Sequence, residues 1–76
     1  MELTNFIETK VNEYAQKIIK GGEKSDDLAF GQLSFYLSLR RVLNGKATPQ
    51  DVGVVDAIND TLQELGIINE GKTFYK

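Results

Sequence analysis

The residues able to do chemistry in this chain are its carboxylates, lysines, arginines, hydroxyls and phenols, because its 76 residues include neither Cys nor His. That composition removes thiolate nucleophiles, imidazole bases, disulfides and nearly every zinc ligand set. The remaining acids are spaced for other work. Asp26-Asp27 could be imagined as a metal-binding pair, but with Ser25 they stand where side-chain oxygens cap the free N–H groups of a helix. Asp56, Asp60 and Glu64 recur at i, i+4 and i+8, which places them on one helical face as a solvated stripe or an acidic docking face. Arg40, Arg41 and Lys46 form a candidate basic patch, although the negative end of a helix attracts such residues anyway. Gly21-Gly22 follows a helical stretch rather than a strand, so it is no phosphate-cradling loop. The sequence therefore predicts a non-enzyme with no cofactor and no metal.

Charge points the same way. The net charge is −2. Residues 1–46 carry seven basic and six acidic side chains, for +1, and residues 47–76 carry two and five, for −3. A nucleic-acid footprint would be strongly basic, so DNA or RNA is not the expected partner. The N-terminal MELTNFIETK bears acids where a signal peptide needs a basic, then apolar, run. The uncharged stretch LAFGQLSFYLSL at 28–39 is closed by Asp26-Asp27 and Arg40-Arg41. It is also shorter than the roughly 20 residues needed to span a bilayer. No membrane association is expected, and a cytoplasmic location is.

The elements that must position these residues are helical. Leu3, Ile7, Val11, Tyr14 and Ile18 step by four, four, three and four, giving one apolar stripe over residues 2–20 with Phe6 and Ile19 on its flanks. Gly21-Gly22 supplies a left-handed stop. A second helix is predicted over 26–44, capped by Ser25-Asp26-Asp27 and ended by Gly45. Thr48-Pro49-Gln50-Asp51 signals a third, over 49–65: Thr48 caps, Pro49 fits the first position, and Asp51 reaches back as the acid of a capping box. Its buried stripe is expected to be Val55, Ile58, Leu62 and Leu65, with Gly66 as its stop and Ile67 closing a contact onto the last turn. The tail from Ile67 is either a small hairpin turning at Asn69-Glu70-Gly71 or a loop whose aromatics fold back over the helices. The fold class is an all-α, three-helix single domain.

The second helix is apolar on two sides. At 100° per residue, Leu28, Phe35, Leu39 and Val42 share one face, with Tyr36 and Leu43 at its margin, while Phe30, Leu33 and Leu37 lie nearly opposite. Gly31, Ser34 and Ser38 line one side between them, and Ala29 the other. Such a helix needs cover on both sides. Either the first and third helices supply it, or Phe30, Gly31, Leu33, Ser34, Leu37 and Ser38 form a partner or dimer interface. A domain this small has few other means of stabilisation.

These features predict a small, non-catalytic helical interaction module. It would pair with itself as a homodimer through the second helix and bind another protein, as adaptor or inhibitor of a larger bacterial or phage protein. A different expectation is a small DNA-associated transcriptional regulator with a winged-helix-like arrangement, whose dimer would present Arg40, Arg41, Lys46 and the tail. There the third helix would face phosphates, yet its outer side offers Asp56, Asp60 and Glu64, with only Asn59 and Gln63 able to read bases.

Overall fold

The structure, a computed structural model, describes residues 2–21 and 23–75. Three helices run in the order α1 (Leu3–Lys20), α2 (Glu23–Leu43) and α3 (Pro49–Glu64), and no strand occurs among the described residues. The chain is all-α, as the periodicity predicts.

α1 buries Ile7 and Tyr14 and leaves Ile19 three-quarters exposed. Its end differs in detail from expectation. Gly21 is extended, with φ −86° and ψ 175°, so it is no left-handed stop; Gly22 lies outside the described residues. Gly21 has a steric reason instead. A Cβ there would sit 2.5 Å from the Lys17 carbonyl oxygen and 2.6 Å from Asp26 Oδ1, closer than real Cβ contacts allow.

α2 begins at Glu23, three residues before its predicted start. Residues 25–27 therefore lie within its first turns, so Asp26 and Asp27 are not its N-cap, and the side chain of Ser25 lies outside what the structure describes. Acids are favourable both at a cap and in a first turn, so composition alone does not separate the two. The other ends follow expectation closely. Gly45 is left-handed at φ 73°, with the Gly45 N–H donating to the Val42 carbonyl (3.3 Å) and the Lys46 N–H to that of Arg41 (2.9 Å). Gly66, at φ 75°, repeats the pattern with Gln63 (3.0 Å) and with Ile67 reaching Leu62 (3.0 Å). Both are the paired bonds that close a helix through a left-handed residue. At the start of α3, Thr48 Oγ1 accepts from the Asp51 N–H (3.1 Å) and Asp51 Oδ2 accepts from the Thr48 N–H (3.0 Å), the predicted capping box.

α2 is the central element. α1 packs along one side of it and α3 meets it on another, whereas the backbones of α1 and α3 do not approach within 8 Å among the described residues. The core joins Ile7, Leu39, Val55 and Tyr75, with Leu3, Val11, Phe35, Tyr36, Val42, Leu43 and Phe74 packed around them. All its α1 members come from the first half of that helix and all its α2 members from the second half, so the core occupies one end of the antiparallel α1–α2 pair. Tyr36 ties the pair together, stacking on Tyr14 (centroids 5.9 Å) and meeting Phe6 edge-on (6.0 Å).

Two apolar residues differ from expectation. Leu28, placed with Leu39 and Val42, is 70% exposed, and Leu65, placed in the α3 stripe, is 66% exposed. Leu28 borders the open groove beside Glu13, Lys17 and Lys20 of α1, and Leu65 follows the last residue of α3. Ile67 is likewise 67% exposed and covers nothing.

The tail forms no hairpin. The Asn69–Lys72 turn exists, closed by Lys72 N–H to the Asn69 carbonyl (3.1 Å) with Gly71 left-handed. Thr73–Tyr75 then folds back on the helices instead of pairing with Ile67-Ile68, because Tyr75 finds a place in the core.

Candidate interaction surfaces

The two arginines of α2 are bound up within the chain. Arg41 forks onto Asp51 through Nε (2.6 Å to Oδ2) and Nη2 (2.7 Å to Oδ1), two parallel charge-assisted bonds of the strong, directional kind. Asp51 is buried and also serves the capping box, so one carboxylate fastens the end of α2 to the start of α3. The guanidinium, and then the Thr48 N–H, hold the Asp51 carboxyl well below the usual carboxylate range, against burial acting the other way. The same bond raises Arg41. Arg40 donates to Glu8 Oε1 on α1 (2.9 Å). Of the predicted basic patch only Lys46 makes no ion pair among the described residues.

The predicted acidic face is real in placement: Asp56, Asp60 and Glu64 are all exposed on α3. Asp56, however, accepts the Tyr75 hydroxyl (3.1 Å). Burial, reinforced by that carboxylate, raises the Tyr75 phenol above its ordinary value.

Between them stands a site that the spacing of residues did not reveal. Asn59, buried on α3, donates from Nδ2 to the Lys72 carbonyl (3.0 Å) and accepts the Phe74 N–H at Oδ1 (2.7 Å). Gln63 Nε2 donates to the same carbonyl (2.9 Å). Asp56, Asn59 and Gln63 thus hold the tail as it runs back along α3. Asn59 and Gln63 were the two residues available to read bases; here they hold main chain. The available signal was a polar Asn within the stripe of Val55, Ile58 and Leu62, which needs a partner when buried.

The six α2 interface candidates divide. Phe30 is 54% exposed, Gly31 and Ser34 are exposed, and a Cβ on Gly31 would meet nothing within 4 Å. Leu33 and Leu37 are half-buried, and Ser38 is half-buried and accepts a long bond from Arg41 Nη2 (3.4 Å). An open groove on the opposite flank is lined by Glu13, Lys17, Lys20, Leu28 and Gln32 among others. Ile19, Leu28 and Phe30 thus stand bare at the end of the α1–α2 pair that lies away from the core.

Asp26 Oδ1 is buried with no hydrogen-bond partner, but no group of three or more potential metal ligands occurs among the described residues. No described helix is long and apolar enough to cross a membrane. Comparison with protein-family models, curated proteins and solved structures gave no match.

Proposed function

We propose that this chain is a small, non-catalytic helical module of the cytoplasm that works by burying protein surface, pairing with a second copy through the Phe30 face of α2. Its biological partner would be a larger bacterial or phage protein, bound as adaptor or inhibitor. The observation that carries the proposal is surplus surface. The chain exposes 5512 Å². A compact monomer of its 8.5 kDa mass would expose about 4,700 Å². The difference, roughly 800 Å², matches one partner's share of a standard interface. The radius of gyration agrees, at 13.6 Å against about 11 Å for a compact domain of this length.

Apolar side chains stand bare on α2. Phe30 projects beside Gly31 and Ser34, small residues that let a second backbone come close, and Leu33 and Leu37 extend the apolar surface at half-burial. Less favours the DNA-binding alternative: Thr73–Tyr75 folds back on the helices, Arg40 and Arg41 are paired with acids, and Asn59 and Gln63 hold the tail, which leaves Lys46 of the basic patch.

Light scattering across a concentration series tests the proposal. The expected mass rises to twice 8.5 kDa, and Phe30→Glu returns it to that of one chain with helical circular dichroism unchanged. A single-chain mass throughout overturns it.

A further inference from the structure

The tail sits on α3 as a ligand sits in a site. It contributes no helix or strand; side chains of α3 grip its main chain at the Lys72 carbonyl and the Phe74 N–H, and Asp56 receives its terminal phenol. Tyr75 meanwhile fills the core beside Ile7, Leu39 and Val55. Any occupant must satisfy these bonds and fill that volume, or leave buried polar groups and a cavity. An identical tail does both by construction.

We infer that the α3 clamp also receives the tail of a second copy, so that two chains can associate by exchanging residues 69–75. Exchange of an identical element repeats every native contact and costs little beyond association itself. Leu65 and Ile67, 66% and 67% exposed, flank Gly66 just before the exchanged residues, leaving apolar surface beside the hinge for a second chain to cover. The surface is separate from the Phe30 face and does not depend on it.

Attachment to its own chain gives the tail an effective concentration in the millimolar range, so the parent exchanges only when refolded at comparable concentration. Two experiments test this. In the first, Asp60→Cys and Thr73→Cys chains, both in a Phe30→Glu background, are unfolded together, refolded at millimolar concentration and treated with a flexible bis-maleimide. Residue 60 follows Asn59, and residue 73 lies between the two tail residues that Asn59 holds, so linkage between different chains reports a tail seated on a neighbour's α3. The expected product is a covalent species of twice the chain mass, absent when folded chains are simply mixed. Failure to form it overturns the inference, whatever the fate of the Phe30 face. In the second, deletion of Glu70 and Gly71 removes the reversal that returns the tail to its own α3. The shortened chain is expected to be dimeric at micromolar concentration, well over tenfold below the parent's threshold. A folded monomer would overturn the inference.

Discussion

The two ends of the α1–α2 pair are built from similar residues and have opposite fates. At one end Ile7, Leu39, Val55 and Tyr75 are almost fully enclosed, because α3 and the tail add a further layer. At the other end Ile19, Leu28 and Phe30 are equally apolar and more than half exposed. Among the described residues only Tyr14 and Ala29 are buried there, by the contact of two helices. Apolar character alone therefore does not make a core; a further element must be long enough to reach. One end holds the enclosed core, and the other leaves bare the apolar surface proposed above to meet a partner.

This contrast is broken most severely by Leu39→Ala. Its side chain is 2% exposed, and truncation is expected to cost about 2–5 kcal/mol, comparable to the whole stability of a domain this small. Loss of helical circular dichroism at ambient temperature is the expected readout. Asn59→Ala comes next. It strands the Lys72 carbonyl and the Phe74 N–H, at about 1–3 kcal/mol, seen as a lower urea midpoint and faster exchange of the Phe74 amide. Thr48→Ala removes the α3 cap at about 1 kcal/mol, measured in the same titration.

pH separates the same end by sign. The Asp51 carboxyl is held below its unfolded value of about 3.9 by Arg41 and the Thr48 N–H. Its contribution is complete above that value and disappears as pH falls toward the folded one. Thermal midpoints should drop below about pH 4, and less steeply in Asp51→Asn, which starts lower. Tyr75 runs the other way. Its pKa is raised, so its contribution is intact below about pH 10 and is lost as pH climbs through the folded value; Tyr75→Phe should flatten that alkaline limb.

The smallest stability effect belongs to the open end. Phe30→Glu is expected to change the folding free energy of the isolated chain by no more than about 0.5 kcal/mol, while removing self-association.

The divide between legible and illegible features follows the reach of local signals. Three helices, the Thr48–Asp51 capping box and the left-handed Gly45 and Gly66 depend on neighbours within a turn or two, and the residue order displays them. The start of α2 is not legible, because acids suit a cap and a first turn alike. For Leu28 and Leu65, period says which residues share a face and nothing about what stands opposite. The Arg41–Asp51 fork and the Asn59 grip on the tail join separate elements, 10 and 13–15 residues apart in sequence. Only the packed arrangement brings them together. Of the α2 interface candidates, Phe30, Gly31 and Ser34 are open to a partner, whereas Leu33, Leu37 and Ser38 are half covered by their own chain.

The most direct test of the division between a stabilising end and a binding end is a dilution series of amide NMR spectra. The account predicts concentration-dependent shifts centred on residues 28–34 of α2 in the parent, lost in Phe30→Glu, with residues 39–43 and 55–62 unmoved. Spectra that do not change with concentration, or changes confined to the core end, would contradict it.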